Sequence, residues 1–271
     1  MKITAPAPLA ALPLLLLTTS CEKELDIDYH DIEPLTVIEA TLTPDGARVG
    51  ITLTTPMDEP MNTSRLTDAS VTLRDLTDGI SHTLAPDDEG FFTDPTPGIA
   101  GHEYALTVER ADARYEATAT MLPPTEITSM EFNWIKMPYD RVAVLQVQYR
   151  DDPAVAGQCY WVKLYRNGEI YKWSEMDDRS AVGGTATFFT MTTRRDTDQE
   201  DDDTVLYDGD VMTCTVAPVS PAMHNYLEAL QNDSNGPQMF AGDRCLGYFL
   251  ASSPVSASLT FRPDQIPEFH H

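Results

Sequence analysis

The sequence predicts a mainly β chain, built as two β-rich domains with one late α-helix. Three observations carry this reading. Apolar residues recur at every second position in short segments, turn-forming residues separate those segments, and only one stretch shows the three-four spacing of a helix.

In "LTVIEATLT" Ile38, Ala40 and Leu42 fall on one face; in "RVGITLT" Val49, Ile51 and Leu53 do. "ASVTLRD" places Ala69, Val71 and Leu73 together, "HEYALTVE" places Tyr104, Leu106 and Val108, and "RYEATATM" places Tyr115, Ala117, Ala119 and Met121. Between them lie Pro44-Asp45-Gly46, Thr77-Asp78-Gly79 and "DPTPG", all turn or loop chemistry. Six or seven short strands over about 90 residues predict an immunoglobulin-like or transthyretin-like β-sandwich across residues 35–122. "MLPPTEI" ends it, because prolines donate no ladder bonds and Pro124 forces Pro123 to be extended.

The second domain, residues 126–262, is richer in aromatics. Its expected strands are "RVAVLQVQY", "CYWVKLYR", "EIYKWS", "ATFFTMTT", "TVLYD" and "DVMTCTVAPV". Asn167-Gly168 predicts a type I′ hairpin joining Tyr160–Arg166 to Glu169–Trp173. A helix is expected at about 221–231, capped by Ser220 and opened by Pro221, with Met223, Tyr226, Leu227 and Leu230 on its buried face. After "NDSNGP" the chain returns to strand in "CLGYFLAS" and "SASLTF", within the second domain, and ends in a polar tail over 263–271.

The N-terminus reads as an export signal. Lys2 precedes an apolar core from Leu9 to Leu17, with Thr19 and Ser20 before a candidate cut. A helix crossing a bilayer needs about 20 apolar residues, roughly twice this core, which Pro13 also interrupts. Leu17-Thr18-Thr19-Ser20-Cys21 resembles a lipobox, in which the cysteine is acylated and becomes the mature N-terminus. Residues 1–20 are then a signal peptide, residues 21–34 a tether, and Cys21 a membrane anchor of more than one chain, which holds where a single chain is marginal. The alternative is a soluble secreted chain cut nearby, with Cys21 incidental. Glu22-Lys23-Glu24-Leu25-Asp26 resembles the export signal that sends Bacteroidota lipoproteins to the outer face of the outer membrane, rather than leaving them facing the periplasm.

Processing at Cys21 leaves 17 basic and 43 acidic residues, a formal charge of −26. Such a chain is not a nucleic-acid partner, since phosphate binding needs clustered lysine and arginine. Cys159, Cys214 and Cys245 allow one disulfide, for which Cys214–Cys245 is the preferred pair, or three buried thiols.

Nucleophile elbows, zincin motifs and nucleotide-binding loops are absent from the sequence. "DTDQEDDD" offers Asp196, Asp198, Glu200 and Asp202 as oxygen ligands for calcium; otherwise it is a solvated hairpin loop. Trp161, Tyr165, Tyr171 and Trp173 are brought together by the Asn167-Gly168 turn, with Trp161, Lys163 and Tyr165 on one face. Exposed, that face would stack on a sugar or peptide; buried, it is core.

The tether at Cys21, "LTVIEATLT", "ASVTLRDLTDG", "GHEYALTVERADARYEATATMLPP", "SPAMHNYLEALQND" and "CLGYFLASS", taken in this order, resemble an outer-membrane lipoprotein family of Bacteroidota. The family is defined by a domain of unknown function, number four-two-four-nine, and the resemblance runs from about Cys21 to Phe261. It implies a companion of TonB-dependent outer-membrane transport, acting as a non-catalytic binding or accessory module without a cofactor. A fimbrial or surface-assembly subunit is the alternative, and an envelope hydrolase a further one.

Overall fold

The computed structural model describes residues 33–267 apart from 57–58, 61–63, 137–140, 194–204 and 235. The first body begins with β1 (Thr36–Thr43) and β2 (Gly46–Leu53), joined by the two-residue turn Pro44-Asp45. Then follow β3 (Ser70–Asp75), β4 (Ser81–Pro86), β5 (Phe92–Asp94), β6 (Glu103–Arg110) and β7 (Ala113–Thr120). The period-two pattern is realised as buried alternation. Ile38, Ala40, Leu42, Val49 and Ile51 meet Val71, Leu73, Leu106, Val108 and Ala117 in one core.

The second body opens with β8 (Ile127–Lys136), β9 (Arg141–Arg150), β10 (Cys159–Arg166) and β11 (Glu169–Asp177). It continues with the two-residue β12 (Ala181–Val182), β13 (Thr185–Thr193) and β14 (Val211–Val219). Asn167 and Gly168 take φ of 51° and 94°, as the type I′ turn requires. After α1 (Pro221–Gln231) come β15 (Ala241–Gly242), β16 (Cys245–Ala251) and β17 (Val255–Thr260). Two four-stranded sheets, β11-β10-β14-β17 and β12-β13-β9-β8, enclose the second core around Leu145, Tyr149, Leu164, Met212 and Val216. "TVLYD" forms no strand over its described residues; Val205 and Leu206 are buried as loop.

The largest departure from expectation is where the chain goes after α1. The region 126–262 is not one contiguous domain, because β15 and β16 join the first body. The nine-stranded order is β15-β7-β6-β3-β4-β5-β2-β1-β16, with β16 parallel to β1 from Thr36–Cys245 to Leu42–Ala251. The reason is legible in "CLGYFLA", which is apolar on both faces. Cys245, Phe249 and Ala251 enter the first core, while Leu250 enters a third cluster under α1. Gly247 makes the approach possible. Its φ is +106°, and a Cβ there would lie 1.9 Å from the Ile38 carbonyl oxygen.

Candidate functional site

The two bodies meet at a joint built by α1. The Ser220 Oγ accepts from the Met223 N–H at 3.2 Å, and Pro221 occupies the first turn, where a missing N–H costs nothing. Met223, Tyr226 and Leu227 then pack on the back of β10 and β14, against Cys159, Trp161, Ala217, Val219 and Leu250. Leu230, expected on this face, is exposed instead.

Trp161 meets Trp173 at 6.1 Å and Tyr248 at 5.8 Å, both nearly edge-on, and Tyr226 meets Tyr248 at 5.8 Å. The structure thus brings Trp161 and Trp173 together, but as the packed joint, with Trp161 only 9% exposed. Tyr165 is half-buried on the same strand face, and burial raises its phenol pKa. Tyr171 departs from the set. A bulge pairs Tyr165 with Ile170 and Leu164 with Lys172, leaving Tyr171 as the extra residue, packed against the second core.

Lys163 lies inside this aromatic joint. Its Nζ sits 3.4 Å from the centre of the Trp161 ring, and burial pulls its pKa down to about 8, against a smaller upward pull from Glu39. Trp161 Nε1 and Glu175 Oε2 are buried with no hydrogen-bond partner among the described residues.

Beside the joint opens a cleft of about 1060 Å³. Its walls are the end of β7 with the linker after it (118–126), the loop 150–158 running into β10, the end of β14 with the first turn of α1, Gln238-Met239, and Phe249–Ala251 of β16. Sequence reasoning missed it, because five separated stretches build it and each alone reads as turn or core. Its surface is mostly apolar, with Arg150 paired to Glu126 at one rim. The Tyr160 hydroxyl, in the wall, donates to the buried Asp151 carboxylate at 3.0 Å. The Cys159 thiol is pushed up to about 11 by burial and by the carboxylates of Asp177 and Asp178, so it is protonated at neutral pH.

A second polar cluster, also missed, links two turns of the first body. Asp75 Oδ1 accepts from the Thr77 and Asp78 N–H groups at 2.8 and 3.1 Å, and Oδ2 lies 2.8 Å from His102 Nδ1. Burial raises the Asp75 carboxyl pKa, but the bonds from His102, Asp78 and Thr77 outweigh it, and the group sits below its ordinary value.

All three described cysteines are free and buried. The expected Cys214–Cys245 bridge does not form, because Cys214 lies in the second core and Cys245 in the first. Burial lifts the two thiols to about 12 and about 11. Cys21 and the candidate calcium ligands Asp196, Asp198, Glu200 and Asp202 lie outside the described residues. Among the described residues, no helix is long and apolar enough to cross a membrane.

Fold and cleft together define a mainly β protein of two bodies interlocked by one strand, with a roomy apolar cleft at their joint. Its sequence matches the domain of unknown function DUF4249 over residues 22–257, and the chain belongs to that family. Among solved structures it is similar to a two-domain fibronectin type-III segment from chicken tenascin, at 12% identity and a TM-score of 0.24, over 84% of this chain and 100% of that one. No curated protein matches the chain.

Proposed function

We propose that the chain is a cell-envelope lipoprotein, anchored in the outer membrane through Cys21 and facing the cell exterior. There it serves as a non-catalytic binding or accessory module of a TonB-dependent transport system. The cleft at the joint carries the binding part of this reading. Concave, mostly apolar surfaces with a few polar groups at the rim are what ligand sites are made of. Its one thiol is protonated and its tyrosine is engaged with Asp151, which favours binding over nucleophilic chemistry. The anchor rests on the pattern Leu17 to Cys21 and on the acidic tether that follows.

Cell fractionation with intact-mass measurement, on wild type and Cys21→Ala, tests the anchor. Wild type is expected in the outer membrane with added acyl mass, and the variant in the soluble fraction. A variant that still pellets with membranes at unaltered mass overturns the anchor. Cross-linking in intact outer membranes tests the rest: the loop 150–158 is expected to link to a TonB-dependent receptor, and links only to unrelated proteins would refute that role.

A further inference from the structure

We infer that the cleft is a preformed site for one uncharged, apolar small molecule, which names the ligand class of the binding role proposed above and rests on that role. The charged side chains of the lining, and most of the polar ones, are already engaged within the wall. Arg150 Nε donates to the Glu126 carboxylate, and the Thr125 hydroxyl donates to the Arg150 carbonyl at 2.6 Å. Asp152 Oδ1 accepts from the Ala154 N–H at 2.9 Å, and Gln158 Nε2 donates to the Asp152 and Val155 carbonyls at 2.8 and 3.2 Å. The Tyr160 hydroxyl is turned to Asp151, and Ser220 Oγ caps α1. Thr118, Thr120 and Gln238 remain, and all three are exposed and uncharged.

Charge in the ligand is therefore disfavoured. An anion would meet a single lining cation, Arg150, that Glu126 already holds, beside the further carboxylate of Asp152. An ammonium would find Glu126 taken by Arg150 in the same way. Either would give up its hydration with no free counter-charge to replace it.

The cleft offers apolar surface instead, from Leu122, Val155, Met239, Leu250, Pro123 and Pro221. Val155 is 52% exposed, and it is held out rather than free to fold back into a core. Its N–H donates to the Asp152 carbonyl at 2.9 Å, and the Gly157 N–H that follows donates to Asp178 at 2.8 Å. Prolines at 123, 124, 218 and 221 fix φ at four places in the wall, so the shape exists before a ligand arrives and little ordering entropy is lost on binding. The Met223 and Met239 thioethers let the fit adjust. A volume of about 1060 Å³ is at the upper end of sites for a single drug-sized molecule.

Two fluorescent probes with one skeleton test the assignment: uncharged N-phenyl-1-naphthylamine, and 1-anilinonaphthalene-8-sulfonate, which adds a negative charge. Each is titrated onto the processed full chain in about 0.5 M salt, which screens the chain's long-range charge. One naphthylamine per chain is expected to bind saturably, with the sulfonate at least tenfold weaker. Val155→Arg, at an exposed position, is expected to weaken the naphthylamine at least tenfold while the urea midpoint of the free protein stays put. Carbon-13 methyl spectra of the wild type give a readout independent of any variant. Bound naphthylamine is expected to shift the Met239 methyl and leave that of Met212, inside the second core, unmoved. If Val155→Arg does not fold, the Met239 shift decides alone. A sulfonate that binds as tightly as the naphthylamine, with both weakened by Val155→Arg, overturns the ligand class and leaves the cleft a binding site. No saturable binding, or binding that survives Val155→Arg with Met239 unmoved, overturns the inference and removes the cleft from the binding role. The receptor cross-links test the accessory role separately.

Discussion

Lys163 makes the joint's energetics measurable. Its ammonium is half-buried on the Trp161 ring, and its pKa falls from 10.5 to about 8. Each pKa unit is worth about 1.4 kcal/mol, so keeping this charge in the folded state costs about 3 kcal/mol at neutral pH. The contact with the indole face returns about 1 kcal/mol. Lys163→Met keeps an unbranched apolar chain of similar length and removes the charge. It is expected to stabilise the protein by about 2 kcal/mol at pH 7. The pH dependence follows from linkage. Between about pH 8 and 10.5 the unfolded chain holds the Lys163 proton while the folded chain has released it, so the Lys163 contribution to stability rises with pH across that window, against the fall contributed by the buried thiols. Urea unfolding from pH 7 to 9.5 should show the variant's advantage shrinking as pH rises, the thiol and phenol titrations being common to both proteins and cancelling in the difference. A variant less stable than wild type at pH 7, or a difference independent of pH, would refute this account of the joint.

Two further substitutions probe the interlock and the first body. Gly247→Ala places a Cβ 1.9 Å from the Ile38 carbonyl oxygen at a φ of +106°, so it should cost more than about 2 kcal/mol in urea unfolding. Gly101→Ala, at φ +87° with open space around it, should cost only about 1 kcal/mol; equal losses would mean that the β1–β16 approach is not tight. Asp75→Asn removes the carboxylate that holds Thr77, Asp78 and His102, at a cost of about 1–2 kcal/mol at pH 7. Because the folded-state pKa of Asp75 is lowered, its contribution is present above 3.8 and lost as pH falls through the folded value. The gap between wild type and variant should therefore close in acid, as followed by urea midpoints.

Local chemistry was legible in the sequence, and long-range partnership was not. The alternation in "LTVIEATLT" and "ASVTLRD", the Asn167-Gly168 turn and the Ser220-Pro221 cap each act within a few residues, and each appears in the structure where its pattern places it. The partner of β16 is different. "CLGYFLA" announces a strand covered on both faces, but nothing local says that its neighbour is β1, about 200 residues earlier. The aromatic set shows the same limit: one bulge at Leu164/Tyr165 shifts Trp173 opposite Lys163 and so onto the face of Trp161, while Tyr171 stays with the second core, and a single-residue shift of that kind has no signature in composition. The cleft was invisible because it is a property of five segments at once.

The route of the chain gives the cleft a consequence for the whole molecule. β16 is covalently part of the α1 excursion yet hydrogen-bonded into the first body, so the second body cannot leave the first without unzipping β1 from β16. β1 is also the first strand among the described residues. Near the other end of the same sheet, β7 comes back to β16 through the Leu122–Ser252 bridge, which nearly closes it beside the cleft. The cleft is lined by residues of both bodies, so any ligand that fills it would favour the interlocked arrangement by mass action.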